Sequence, residues 1–256
     1  MAVVIGAACG RGGGAASDTA AAMPGGTTFR NVATGSYSTI EIATPGRVSG
    51  TITVGGEIPV DSVVHPTSDV TTCGADVSDG AVEHDAALLG GAVVWLEGIR
   101  AGKPLPLIRR YDIMNEGCLI APRVQAVIVG GTLNIRSVDQ ITHRTRLVRQ
   151  GVVKPIALVS ETEEGQVVPL DHALDAPGQI EVRCDLHPWT RAFLAVFDHP
   201  YFAVTSTNGS FAFDSVPPGS YTLMVWQERL GTASRPVVVA GNGTATVDVE
   251  LRAGGR

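Results

Sequence analysis

A cysteine and two histidines stand out in this sequence because their side chains could together bind one metal ion. Cys184 and His187 are three positions apart, where an apolar segment ends and a turn begins, and His143 follows an upstream strand-like segment. A tight turn lets a thiolate and an imidazole converge on one ion, and a second imidazole at another strand end can join them. Two imidazoles and one thiolate in a plane are the donor set of mononuclear blue-copper centres. The soft thiolate favours copper over hard cations. The residues therefore predict a copper site.

The elements that must position these side chains are short apolar segments separated by Gly and Pro turns. No long stretch shows a sustained helical period, so the pattern predicts an all-β chain of the sandwich type. Gly130-Gly131 is interpreted as a hairpin turn between predicted strands at 124–129 and 132–135. The polar, acidic stretches 66–86 and 162–177 predict two long loops with at most one short helix.

The cysteines predict one disulfide and one thiol with another role. Cys73, Cys118 and Cys184 make an odd number after the N-terminal Cys9, and an exported protein with such a set commonly pairs two of them. We expect a disulfide between Cys73 and Cys118, because the setting of Cys184 suggests a metal ligand. Two alternatives stay open: a disulfide between Cys118 and Cys184, and a packed Cys/His pair that binds no metal.

The N-terminal segment resembles the end of a lipoprotein signal. Residues 1–8 are small and apolar, Cys9-Gly10 follows, and 11–28 are rich in Gly, Ala and Ser. A charged start is missing and the apolar part is too short for a full signal, so a merely disordered N-terminus is the alternative. We expect lipidation at Cys9, a flexible tether through residue 45, and a periplasmic or cell-surface location.

Charge and hydropathy exclude two classes of partner. The formal net charge of −6 argues against a nucleic-acid partner, which would require a basic face. No segment approaches the roughly 18 apolar residues of a spanning helix, so we expect contact with a membrane only through a lipid anchor.

The segment from about 121 to 196 resembles the cupredoxin family, in particular its amicyanin and pseudoazurin type. In that family a lone His follows a strand, and a Cys and a second His come later with the spacing of Cys184 and His187, followed by Pro188. The resemblance implies a Greek-key sandwich with His143, Cys184 and His187 as equatorial copper ligands. The family's axial Met falls on Thr190, a short hard donor, so the axial position is degenerate. The resemblance thus implies either copper with a shifted potential or a metal-free shell.

The C-terminal part resembles a carboxypeptidase regulatory-like, prealbumin-type module. The resemblance rests on the strand and turn motifs at 208–213 and 216–221, Asn-Gly-Ser-Phe-Ala-Phe and Val-Pro-Pro-Gly-Ser-Tyr. It implies a second, smaller β-sandwich. We divide the chain into a signal-like tail and linker at 1–45, a cupredoxin-like domain at 46–198, and the prealbumin-like sandwich at 199–256. Whether the strand at 48–54 joins the first sandwich or completes the second stays open.

Two functions of different classes follow. The first is an exported copper protein that carries single electrons to or from a redox partner protein, or holds copper, with His187 nearest to solvent. The alternative is a metal-free cell-surface scaffold that contacts a glycan or a protein. We do not expect an enzyme, because six histidines are too few for a further copper cluster and no serine has a nucleophile setting. The acidic residues 161–164 are interpreted as a solvated turn.

Overall fold

A computed structural model describes residues 37–253, in which nearly every regular element is a β-strand. The all-β fold class predicted from the sequence is confirmed. The predicted lipidation site Cys9 and most of the predicted tail at 1–45 lie outside the described residues. No helix within 37–253 has the length and apolar character needed to cross a membrane.

The elements are short and follow one another closely along the chain. The one helix among the described residues is α1 (Val70–Cys73). The strands are β1 (Ser38–Thr39), β2 (Gly46–Gly55), β3 (Val63–Val64), β4 (Val77–Ser78), β5 (His84–Asp85), β6 (Leu88–Leu89), β7 (Val93–Glu97), β8 (Ala101–Gly102), β9 (Arg110–Glu116), β10 (Leu119–Ala121), β11 (Val124–Ile128), β12 (Thr132–Ser137), β13 (His143–Arg149), β14 (Ala157–Glu161), β15 (Val167–Leu170), β16 (Gly178–Cys184), β17 (Arg191–Phe197), β18 (Phe202–Val204), β19 (Ser210–Val216), β20 (Gly219–Gln227), β21 (Gly231–Val239), β22 (Thr244–Thr246) and β23 (Val249–Arg252).

The first sandwich consists of two sheets that share one apolar core. One sheet has the strand order β10-β9-β12-β15 and the other has the order β11-β17-β16-β13-β14. Side chains of a strand point alternately to its two faces, so every second residue of these strands enters the core. The buried residues supplied by both sheets include Ile113, Leu133, Ile135, Leu147, Ile180, Val182, Leu194 and Val196.

The second sandwich combines strands from both ends of the chain. Its sheets have the orders β18-β7-β20-β21 and β19-β2-β6-β5, and β22 and β23 also pair with β2. The strand that the sequence left unassigned, β2, therefore completes the second sandwich. This corrects the division of the chain at residue 198, because β2 and β7 lie in the 46–198 segment but pair with C-terminal strands. The physical reason is burial: Val48 and Ile52 of β2 and Val94 of β7 share one core with Leu223 of β20.

The two sandwiches pack directly against each other. An aromatic cluster at the contact joins Trp95 and Trp226 of the second sandwich to Phe197 of the first. The ring centroids of Trp95 and Phe197 are 5.9 Å apart. At the same contact the Arg123 guanidinium donates a 2.6 Å hydrogen bond to the Glu228 carboxylate.

Two local predictions were wrong. Gly130-Gly131 does not close a hairpin, because β11 pairs with β17 while β12 pairs with β9 and β15 in the other sheet. Gly131 is needed there because a side chain would meet the Arg109 carbonyl oxygen at 2.7 Å. The second polar stretch, 162–177, contains the strand β15, whereas the first contains α1 and the two-residue strands β4 and β5.

Candidate metal centre

Two adjacent strands place the three predicted ligands at one end of the first sandwich. His143 is the first residue of β13, and Cys184 is the last residue of β16. Thr145 is paired with Cys184 across the two strands, so the inward-facing His143 lies beside the sulfur. The turn after β16 then returns the chain over this end and brings His187 in, with the Thr190 amide donating to the His187 carbonyl at 3.1 Å.

The three donor atoms lie at separations that suit a single ion. The Cys184 Sγ is 3.8 Å from the His143 Nδ1 and 3.5 Å from the His187 Nδ1, and the two nitrogens are 3.2 Å apart. An ion in a trigonal plane, bonded to two nitrogens at about 2.0 Å and a sulfur at about 2.3 Å, would separate the nitrogens by about 3.5 Å and each nitrogen from the sulfur by about 3.7 Å. The residues present therefore fit a mononuclear copper ion.

Each imidazole is oriented by a carboxylate on its far nitrogen. The Nε2 of His143 lies 2.9 Å from the Asp139 carboxylate, and the Nε2 of His187 lies 3.2 Å from the Asp69 carboxylate. Such a contact holds a proton on Nε2, so Nδ1 is the nitrogen that faces the ion position, and it makes the imidazole more basic. Asp139 also accepts hydrogen bonds from the Gly117 and Cys118 amides. Neither carboxylate was predicted from the sequence.

The hydrogen bonds around Cys184 favour its thiolate form. Burial alone would raise the pKa of this thiol, but hydrogen bonds from His143, His187 and the Arg144 amide outweigh it and lower the pKa to about 5. The hydrogen bond to Cys184 in turn raises the pKa of His187, with support from Asp69 and against the effect of burial. Because the thiolate is the form that binds metals, the sulfur is a ready ligand at neutral pH.

The site is closed to solvent, which corrects the prediction that His187 lies nearest to solvent. His143 and His187 are 0% exposed, and Cys184 is 2% exposed. The segment carrying Asp69 and α1 covers His187 from one side, and the Trp189 ring packs against it with a centroid distance of 5.2 Å. The closed site excludes bulk water from the donor atoms.

The expected disulfide between Cys73 and Cys118 is present, and Cys184 is a free, buried cysteine. The alternative disulfide between Cys118 and Cys184 is thereby excluded in this structure. The Cys73–Cys118 disulfide links α1 to the start of β10 and lies beside His187, with both sulfurs within 4.8 Å of a ring nitrogen of that residue. It therefore fastens the segment that carries Asp69 over the site.

Thr190, at the position of the family's axial ligand, has a structural role. Its hydroxyl oxygen accepts a hydrogen bond of 2.7 Å from the backbone N–H of Ile120, and the residue is 1% exposed. The hydroxyl thus ties the turn after β16 to β10. A weak axial ligand is dispensable for copper binding, so this substitution affects the expected potential more than the ability to bind the ion.

A buried polar cluster next to the site was missed in the sequence. Glu161, interpreted there as part of a solvated turn, is 0% exposed and is paired with His143 across β14 and β13. Its carboxylate accepts a hydrogen bond from the Thr145 hydroxyl, and the Asn115 side chain donates to the same hydroxyl. Burial raises the pKa of Glu161 to about 7, in spite of the hydrogen bond from Thr145. The signal in the sequence is alternation, because Val159 and Glu161 lie on the same face of β14 and both are buried.

The first prediction concerns Asp69. We expect Asp69→Asn to weaken copper binding about tenfold. Loss of a carboxylate that orients a ligating histidine typically costs about 10- to 100-fold in metal affinity. The lower end applies here because the Asp69 side chain is 40% exposed. Asparagine tolerates the left-handed backbone of this position, where φ is 52°. Competition with a copper chelator measures the affinity. Asp76→Asn is the control, because Asp76 lies in the same loop and pairs with the exposed His65. Equal affinities of the two variants would contradict the role of Asp69.

The second prediction concerns the pH dependence of stability in the metal-free chain. The folded-state pKa of Glu161 is raised from 4.5 to about 7, so the folded chain holds a proton that the unfolded chain releases. This contribution to stability is present at low pH and is lost as the pH rises from 4.5 to 7. We expect Glu161→Gln to abolish this pH-dependent loss of stability. Its free energy of unfolding should exceed that of the parent by on the order of 2 kcal/mol at pH 8 and differ little from it at pH 4.

Urea unfolding of parent and variant at both pH values tests this prediction. Because Cys184 and His187 titrate in both chains, the difference between the two free energies of unfolding reports on Glu161. The matched control is Glu163→Gln, on the exposed part of the same turn. A gain that is the same at both pH values would show that the carboxyl group of Glu161 does not titrate in this way.

Comparisons with known proteins found one family model and several partly similar solved structures. Residues 188–252 match the family model of the carboxypeptidase regulatory-like domain. No curated protein sequence matches the chain. Solved structures similar to part of the chain include the Cu-containing nitrite reductase from Thermus scotoductus SA-01, with 20% identity and a TM-score of 0.31 over 40% of this chain and 24% of that one.

Two smaller proteins are similar to the same extent. The purple cupredoxin from Nitrosopumilus maritimus is 20% identical, with a TM-score of 0.28 over 34% of this chain and 98% of that one. Auracyanin from Roseiflexus castenholzii is 14% identical, with a TM-score of 0.31 over 36% of this chain and 98% of that one. The chain thus spans about a quarter of the nitrite reductase but nearly all of the two smaller proteins.

Proposed function

We propose that this chain binds one mononuclear copper ion through His143, Cys184 and His187, and that it carries single electrons or holds copper. The observation that supports the proposal is the mutual separation of 3.2 to 3.8 Å between the three donor atoms. A free thiolate-favouring cysteine between two carboxylate-oriented imidazoles matches the donor set of a copper centre with a thiolate ligand.

The protein's contribution to this chemistry is a rigid, dry donor set. A bound copper ion would supply a one-electron couple. The strand ends hold His143 and Cys184 in place, the carboxylates of Asp139 and Asp69 keep Nδ1 of each imidazole directed at the ion, and burial keeps water from the sulfur. Little rearrangement is then needed when the charge at the site changes, which suits electron transfer.

The proposal extends to location and partners. We infer that the protein is exported to the periplasm or cell surface, where the Cys73–Cys118 disulfide would persist, with Cys9 as the site of a lipid anchor. Its partner would be another redox protein rather than a nucleic acid. We propose electron carriage or copper holding rather than catalysis.

Copper titration of the full chain tests the proposed function. We expect one copper ion per chain and an intense visible band from charge transfer between the Cys184 thiolate and Cu(II). His143→Ala is expected to lose the band, whereas His172→Ala keeps it, because His172 is an exposed histidine of a surface turn. A chain that binds no copper, or that binds it without the band, would contradict the proposal.

A metal-free scaffold is the second candidate, favoured by one specific observation. The resemblance places the axial thioether at position 190, but this chain has Thr190 there. The Thr190 hydroxyl accepts a hydrogen bond from the Ile120 amide of β10. Under this reading, the sandwich next to the carboxypeptidase regulatory-like match would contact a glycan or a protein at the cell surface. A chain without copper affinity but with specific retention on a glycan array would support the scaffold over the copper protein.

A further inference from the structure

The structure leaves the copper-binding residues without a direct contact to solvent. His187 is fully buried, with Asp69 on its Nε2 and the disulfide between Cys73 and Cys118 beside it. A partner protein could therefore not touch the edge of either imidazole. Electrons that pass between the site and a partner need another residue that contacts both the site and the surface.

Trp189 meets this requirement. Its ring lies against that of His187, with centroids 5.2 Å apart and an angle of 58° between the ring planes. The side chain is half-buried, so part of it also faces solvent. The indole N–H donates a 3.1 Å hydrogen bond to the Cys118 carbonyl, which holds the ring in one orientation. The other two tryptophans, Trp95 and Trp226, are 1% and 3% exposed and pack between the sandwiches.

We propose that Trp189 is the contact residue through which electrons pass between His187 and a redox partner. This inference rests on the proposed function and adds the route. One electron leaves reduced copper and arrives on the partner's oxidised centre, and Trp189 mediates the transfer without itself losing an electron or a proton. Asp69 also reaches the surface from His187, but its carboxylate has no aromatic system to couple to a partner.

The test compares Trp189→Leu and Trp189→Phe with the parent, all loaded with copper. The probe is tris(phenanthroline)cobalt(III), a cationic aromatic complex that accepts one electron, mixed with the reduced protein in a stopped-flow instrument. We expect Trp189→Leu to react about tenfold or more slowly, because the reacting centres lose their close contact, and Trp189→Phe to react at close to the parent rate. Leu186→Ala is the control for a general loss of apolar surface, since Leu186 is 39% exposed two residues before Pro188.

A measurement without metal tests whether a partner could reach the Trp189 ring. In the metal-free chain, acrylamide should quench the Trp189 emission far more than that of the two buried tryptophans, and Trp189→Phe should lose the quenchable part. Inaccessible Trp189 emission would overturn the inference, because no partner could then reach the ring.

The outcomes also separate this inference from the proposed function. If Trp189→Leu transfers its electron to the cobalt complex more slowly than the parent, but keeps the parent's visible band and reduction potential, the route through Trp189 is supported. Unchanged rates in a variant that binds copper normally would overturn the route alone, whereas a parent chain without the thiolate band would overturn the proposed function itself.

Discussion

Replacing Cys184 with serine will remove the visible thiolate band of the copper-loaded chain and lower its copper affinity by more than about a hundredfold. The effect should exceed the 10- to 100-fold cost of losing a residue that only orients a ligand, because Cys184 supplies the donor atom itself. Serine has nearly the same shape, but its hydroxyl is a hard donor that stays protonated and suits copper poorly. The spectrum and the metal content after gel filtration measure both effects.

The matched control for this variant is Val182→Ala. Val182 lies two residues earlier on the same face of β16 and is fully buried, so its truncation disturbs the core without touching the donor set. We expect the control to lose stability but to keep the band at one copper per chain. If Cys184→Ser also kept the band and the stoichiometry, the sulfur would not be a ligand.

Removing the Cys73–Cys118 disulfide is the second large change. The double variant Cys73→Ser and Cys118→Ser should lose about 4 kcal/mol of folding stability, because a disulfide that closes a loop of 45 residues strongly restricts the unfolded chain. Urea unfolding of the metal-free chain measures the loss. The parent treated with a dithiol reductant should show a similar loss.

The same variant should expose the site locally. Without the disulfide, the segment that carries Asp69 is no longer fastened to β10, and the contact between Asp69 and His187 should loosen. We expect faster modification of His187 by diethyl pyrocarbonate under conditions where the double variant stays folded. Val77→Ala serves as the control, since it weakens the apolar packing around the disulfide without breaking it. Equal protection of His187 in the double variant and the parent would contradict the role of the disulfide as a fastener.

The three candidate ligands could be predicted from the sequence because each lies at a strand end or in the turn beside one. Cys184 ends an alternating segment and His187 follows within one turn, so their proximity needs no information from distant strands. His143 lies farther away along the chain, but it begins a strand whose alternate residues point into the core. The resemblance to a known ligand pattern then selected this histidine among six.

The assignment of strands to sandwiches depends on pairing between distant parts of the chain. Gly and Pro motifs indicate where the chain turns, but not which sheet the next strand joins. Gly130-Gly131 illustrates this, since it carries the chain from one sheet of the first sandwich to the other. The position of β2 beside β19 and β23 is decided by the core that they bury together, and no local pattern of β2 records it.

The residues around the candidate ligands were the hardest to predict. Asp69 lies more than a hundred residues from His187 along the chain and reaches it because α1 is fastened by the disulfide. Glu161 was judged from its acidic neighbours, yet the pairing of β14 with β13 turns it inward beside His143. Both errors arose because composition describes a segment, whereas burial is decided for each side chain.

X-ray absorption at the copper edge of the loaded full chain tests the central claim most directly. The account predicts a first shell of one sulfur and two imidazole nitrogens, with the sulfur farther from the metal than the nitrogens. It also predicts that the sulfur contribution vanishes in Cys184→Ser. A first shell made only of nitrogen and oxygen in the parent chain would contradict the account.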